Sequence, residues 1–287
     1  MNALRITLCS LLLLIATVPL MAQGTYTQID VPGASFTVSS SINSKGDIVG
    51  GYGDASGNVY GYLLSGGAYT SIVYPGGTYT AFTGINDQNL VVGSDRSVGA
   101  GFLYDAGTQT FSIVSYPHAS QTFPLAINNE GTIVGSVVYR GKNLGFELIG
   151  SSYRRVSPPG TTSVFPAGVS DLNTVAGNVA SIARTTNFFL FNQANYRQFT
   201  IPNAQDGFLV GINPAGSAVV GYYTPSSGVT AGFVFQNQNL TNLQFPGSIY
   251  TVAEGINAAG EVVGYFLDAN SNAHGFLWTP SAASPNP

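Results

Sequence analysis

Residues 255–278 read GINAAGEVVGYFLDANSNAHGFLW, and residues 41–64 read SINSKGDIVGGYGDASGNVYGYLL. The two stretches share an Ile-Asn dipeptide, a glycine three residues later, and two apolar runs each broken by a glycine. The dipeptide recurs at Ile42-Asn43, Ile85-Asn86, Ile127-Asn128, Ile212-Asn213 and Ile256-Asn257, with Val169-Ser170 in the gap. The spacings are 43, 42, 42, 43 and 44 residues. A period held that closely defines six units, and a period of this length marks a solenoid, an array or a propeller.

Each unit contains four short apolar runs. The first ends at the dipeptide, as in TYTAFTGIN. The second reads DIVGGY, LVVGS, TIVGSV, TVAGNV, AVVGYY or EVVGYF, and the third YGYLL, AGFLY, LGFEL, NFFLF, AGFVF or HGFLW. The fourth resembles AYTSIVYPG. All are β-branched or aromatic and bounded by Gly, Asn or Pro, the pattern of strands. Four strands per unit of this length predict an all-β fold, a six-bladed β-propeller. The sixth unit stops after its third strand, near Trp278, while an orphan fourth strand, GTYTQIDVPG, stands at residues 24–33. The N-terminal strand is therefore expected to complete the last blade and close the ring. An open solenoid would carry end caps instead.

Glycine recurs inside the second strand at Gly50, Gly93, Gly135, Gly177, Gly221 and Gly264. It recurs inside the third at Gly61, Gly101, Gly145, Gly232 and Gly275, with Asn187 read as its replacement in the fourth unit. Glycine weakens a strand, so its recurrence points to close backbone approach or to a special dihedral. Asn tolerates positive φ, which favours the dihedral at Asn187.

Only 8% of the 287 residues are charged, with 36 Gly, 16 Tyr and 17 Phe, a composition unlike that of a disordered chain. Residues 1–22 combine Arg5, an apolar run and the small Ala22, the pattern of a secretory signal peptide. Cleavage would remove Cys9, the single cysteine, and with it disulfide and thiolate chemistry. It would leave eight basic against thirteen acidic side chains, the wrong balance for nucleic acid. The expected organisation is a signal peptide at 1–22, one propeller at 23–280 and a disordered tail at 281–287. The expected location is outside the cytoplasm: periplasm, cell surface or medium. After cleavage the chain is expected to be a monomer that does not enter the membrane.

The units SINSKGDIVGGYGDASGNVYGYLL, AINNEGTIVGS and GINAAGEVVGYFLDANSNAHGFLW, followed by YTxIDxPGA-like runs, resemble the HAF-type extracellular repeat of secreted bacterial proteins, over residues 24–279. The resemblance implies export and a repeat architecture, and it implies no particular reaction. The fourth unit departs most, at Val169-Ser170 and Asn187. Only the first and last units keep the D-x-x-x-N spacing, at Asp54 and Asp268, and only the last keeps the histidine, His274.

Blade topology sorts loops onto two faces. Connections from a fourth strand to the next first strand share a face with the loops between second and third strands. That face should carry His118, Asp206, Asp54, Asp95, Arg96, Arg140, Lys142, Arg184, Asp268 and His274. The opposite face carries the turns NSKG, NDQN, NNEG, SDLN, NPAG and NAAG, which read as structural, with Asn and Gly in left-handed conformations.

Four residues are candidates for catalysis. His274 suits a general base beside Asp268, although its column also holds Tyr60, Ala100, Leu144 and Ala231, which points to packing. His118 lies in a loop beside Pro117. Glu254 is the one carboxylate in the channel-lining column Ser40, Thr83, Leu125, Ala167, Val210 and Glu254, where burial would raise its pKa. It has no partner nearby in sequence for paired glycosidase chemistry, and no nucleophile elbow, HExxH or phosphate loop is present. Tyr52, Tyr222 and Tyr265, with Tyr223, are placed to stack on sugars or to pack between blades, and Arg96 and Arg140 are further ligand-binding candidates. The loops DASGN and DANSN offer calcium-type oxygens, but one carboxylate each, a composition that Asx-turn hairpins explain equally; no cofactor or metal site is expected. The leading expectation is a secreted binding module for a polysaccharide or an exported protein. The alternatives are an extracellular glycan-active hydrolase or lyase at the channel mouth, and a structural envelope protein.

Overall fold

Six four-stranded antiparallel sheets stand around a channel, five of them running from an inner to an outer strand in sequence order. The computed structural model describes residues 24–161, 163–179, 187–202, 204–226 and 228–281. The expected signal peptide, all but the first residue of the tail, and Arg184 lie outside them. The inner strands are Phe36–Ile42, Thr80–Ile85, Gln121–Ile127, Val164–Val169, Ala204–Ile212 and Tyr250–Ile256. The fold is the expected six-bladed propeller. Its last sheet is closed by the N-terminal strand Gly24–Ile29, which pairs with Ala273–Pro280 from Gly24 opposite Pro280 to Ile29 opposite Gly275.

The recurrent glycine of the second strand answers a recurrent bulge in the first. Every inner strand slips by one residue against its neighbour, at Ser40, Thr83, Leu125, Ala167, Val210 and Glu254. A bulge leaves its extra residue unpaired and bends the strand. The bend drives an inner-strand carbonyl towards the second strand: a Cβ on Gly135 would lie 2.1 Å from the Phe123 oxygen, and one on Gly264 1.9 Å from that of Val252. Close approach, not positive φ, therefore explains these glycines.

The third-strand glycines make room for the next blade. A Cβ on Gly145 would lie 2.7 Å from the ring of Pro166, and one on Gly61 3.0 Å from Phe82. In the fourth unit the slot is held by Phe188, not by Asn187 as the sequence suggests. Phe188 lies opposite Asn178 just as Gly61 lies opposite Gly51. Phe188 packs on Phe233 of blade five, and the buried Asn178 adds a polar contact to it. Its Nδ2 donates to the Leu209 oxygen and its Oδ1 accepts from the Leu209 N–H, both at 2.9 Å. Asn187 stands one residue before the slot and is not at positive φ, so the expected left-handed dihedral is not what distinguishes the fourth unit.

Buried asparagines join the blades at the turn face. Asn128 Oδ1 accepts from the N–H groups of Glu130 and Thr132 in its own turn, and Nδ2 donates to the Ser170 oxygen of the next blade at 2.8 Å. Asn43 reaches the Asn86 oxygen, Asn86 that of Asn128, and Asn257 that of Asn43, so the chain of bonds crosses from the last blade to the first. Ser170 is too short for this reach and only accepts within its own turn, from Thr174. The turns place Gly46, Asn89, Gly131, Asn173, Gly216 and Gly260 at positive φ, the structural role expected for them.

Two stability predictions follow from this construction. Deleting residues 24–33 unpairs the edge of the strand Ala273–Pro280, and thermal unfolding should then occur at least about 10 °C lower. A deletion variant melting like the parent would refute closure by this strand. Asn128→Ala strands two turn N–H groups and the Ser170 carbonyl, and should cost about 2–4 kcal/mol in denaturant unfolding. Asn128→Ser keeps the turn bonds and should cost less.

Candidate functional site

The six bulge residues form the waist of the channel. Two cavities meet there, both lined by Ser40, Thr83, Leu125, Ala167, Val210 and Glu254. The smaller, of about 70 Å³, opens to the turn face. The larger, of about 240 Å³, opens to the opposite face, with an apolar wall that includes Phe165, Pro166 and Phe208. Glu254 is the one ionisable side chain they share. Burial pushes its carboxyl from the ordinary 4.5 up to about 7, with no neighbouring cation to offset it. Its side chain takes no hydrogen bond from any described residue.

An aromatic row starts at the cavity wall. Phe208 stacks on Tyr222 with centroids 6.4 Å apart, Tyr222 lies 6.2 Å from Tyr250, and Tyr250 6.1 Å from Tyr265. Burial first, then neighbouring negative charge, raises the Tyr265 phenol strongly; burial also raises Tyr222 and Tyr250. The charge of Glu254 reaches all three phenols, and that of Asp206 reaches Tyr222 and Tyr250. Tyr222 and Tyr265 both follow the second-strand glycine directly. Tyr52 and Tyr223 stand one residue further on, and alternation turns them to the other side of the sheet. Tyr52 stacks on Tyr60 and donates to Ser71, and Tyr223 donates to Asn242. Two of the three tyrosine candidates therefore join Glu254, and Tyr52 does not. Tyr250, Phe208 and Asp206 complete the group.

The remaining candidates lie elsewhere. His274 sits between two carboxylates on opposite ring edges: Nδ1 is 3.0 Å from Asp30, and Nε2 is 3.6 Å from Asp268. Asp30 directly follows the N-terminal strand, so the imidazole fastens that strand to the last blade, with Phe266 stacked on it at 5.2 Å. Asp268 is the Asx-type residue of its hairpin, accepting from the N–H groups of Asn270 and Asn272 and from the Asn272 side chain. Asp54 does the same in DASGN. Hydrogen bonds from Asn58 and Tyr60 hold its carboxyl down to about 2. His118 has φ of 61°, in the turn where other repeats place Gly33, Gly76, Gly160 and Gly247 at 75–80°. Arg96 lies over Tyr79 at 5.4 Å, and Arg140 over Tyr139 at 5.2 Å, as cation–π pairs at hairpin ends. Neither arginine lines the channel cavities.

Among solved structures the chain is similar to streptogramin B lyase, with TM-score 0.53 and 10% identity over 89% of this chain and 98% of that one. It is similar to TolB from Acinetobacter baumannii, at 0.54 and 9% over 87% and 68%. A gluconolactonase from Xanthomonas campestris, XC5397, gives 0.55 and 14% over 86% and 87%. These likenesses show the propeller fold. No family model and no curated protein matches the chain. No helix among the described residues is long and apolar enough to cross a membrane.

The buried carboxyl has a measurable signature. Between pH 4.5 and about 7 the folded chain keeps a proton that the unfolded chain has released, so folding stability falls as pH rises through this window. Glu254→Gln should match the parent at pH 4 and be more stable above pH 7. The gain should be about 1–2 kcal/mol, since water in the channel reduces the full value of roughly 3 kcal/mol. Equal denaturation curves at pH 8 would show that Glu254 is solvated like a surface carboxylate.

Proposed function

We propose that this protein is an exported, non-catalytic binding propeller whose ligand is a glycan held at the wide mouth of the channel. The observation that carries the reading is an amphipathic cavity of about 240 Å³ that holds Glu254 and Phe208, from which the ring of Phe208 continues into the row Tyr222, Tyr250 and Tyr265. Sugar rings present C–H faces that lie on aromatic rings and hydroxyls that donate to a carboxylate. A largely apolar pocket with a few convergent polar groups is the usual form of a ligand site. The residues also support binding over catalysis. Glu254 lies in the channel, His274 with Asp268 at the closing seam, and His118 in a turn, so the candidate acids and bases do not surround one pocket. Export is supported by the N-terminal sequence, and the HAF-like repeats are consistent with it.

The purified protein, passed over immobilised glycans, should be retained by at least one of them. Tyr222→Ala and Tyr265→Ala should each weaken that retention about 3–10-fold, while Tyr52→Ala should leave it unchanged. Retention of an exported protein instead of any glycan, or turnover of a glycan, would replace this reading.

A further inference from the structure

The channel differs from an ordinary sugar pocket in its charge. Among the described residues no Lys, Arg or His lines either cavity, while Glu254 stands at the waist and Asp87 and Asp171 line the turn-face end. Asp87 and Asp171 are engaged, each accepting from a backbone N–H of the preceding blade, of Ser44 and Asn129 respectively. Glu254 alone has no donor. At the wide mouth Asp206 adds a further negative charge near Tyr222 and Tyr250. A passage lined by one sign of charge within low-dielectric walls focuses its potential on ligands of the opposite sign. The aromatic row acts in the same direction, because ring faces attract cations.

We infer that the wide mouth binds an organic ammonium group, of the kind an amino sugar carries. The cation would stand against the Glu254 carboxylate and the adjoining C–H surface against the Phe208–Tyr222–Tyr250–Tyr265 row. This inference rests on the glycan reading above and narrows it to sugars with a free amine. A bare metal ion fits less well, since hard cations need six or more oxygens and Glu254 is the only carboxylate on the waist. An ammonium needs one carboxylate, aromatic faces and apolar contact, which are the groups present. It would also supply the counter-charge whose absence keeps the Glu254 proton on.

The test compares a glucosamine hexamer with its fully N-acetylated counterpart by isothermal titration calorimetry at pH 7 and low salt. The free-amine hexamer should bind about tenfold more tightly or better. Raising the salt to 0.5 M should weaken binding of the free-amine hexamer, and Glu254→Gln should remove the preference, bringing the two hexamers to equal affinity. The melting temperature of Glu254→Gln, at or above that of the parent, excludes misfolding as the cause. Equal binding of the two hexamers, or tighter binding of the acetylated one, overturns the ammonium inference and leaves the glycan reading standing. A preference that persists in Glu254→Gln also overturns it. If neither hexamer binds, the inference fails, and retention of other glycans in the immobilised screen decides the broader reading separately.

Discussion

The buried asparagine after the inner-strand isoleucine holds two structures at once. Its carbonyl oxygen accepts N–H groups of its own turn, and its amide donates to the carbonyl of the next turn, as Asn128 does with Glu130, Thr132 and Ser170. A buried amide must satisfy both ends, so at Asn43, Asn86, Asn128 and Asn257 the turn is completed by the neighbouring blade, while Asn213 satisfies its amide on Ser217 of its own turn. The unit is incomplete alone and becomes complete in a ring. That the Asn257 amide meets the Asn43 carbonyl makes the last and first blades neighbours in the same sense as the pairs joined by Asn43, Asn86 and Asn128. The N-terminal strand then finishes the last sheet by the same ladder that finishes every other sheet.

The second constraint, the inner-strand bulge, turns this scaffold into a site. The bulge forces a glycine onto the strand behind it, because the displaced carbonyl leaves no room for a Cβ. It also frees one residue per blade from the ladder, and those six residues form the waist. Their side chains are not needed for pairing, so the column can hold Ser, Thr, Leu, Ala, Val and Glu within one fold. Where the scaffold is indifferent, chemistry can be placed. The same holds for the position after the second-strand glycine, occupied by Tyr222 and Tyr265 in two adjacent blades and by Gly51, Ser94, Ser136 and Asn178 in the others.

Rarity in the sequence misleads here. His274 and His118 stand out as the two histidines of the chain, yet one fastens the closing seam between Asp30 and Asp268 and the other occupies a left-handed turn. Asp30 could not be paired with His274 by inspection, because 244 residues separate them. Tyr250 and Phe208 were hidden for a different reason. Phe208 lies opposite Tyr222 in the same blade, a pairing that depends on the register beside the bulge, whereas Tyr250 sits on the inner strand of the next blade and only the ring brings it to Tyr222.

The sequence by itself determined the number of blades, the four strands in each, the sorting of loops onto two faces, and ring closure by residues 24–33. All of these follow from local periodicity and from the missing strand of the last unit, which a linear reading can count. It also singled out Glu254 as the odd member of a channel column. The tertiary structure decided why the second-strand glycines are needed, that Phe188 rather than Asn187 holds the variant slot, and which tyrosines share a side of their sheets. Each of those turns on a one-residue register or on contacts between blades about forty residues apart. In a sheet one residue of slip reverses the side on which a side chain lies, and a repeat alignment alone did not fix register that finely.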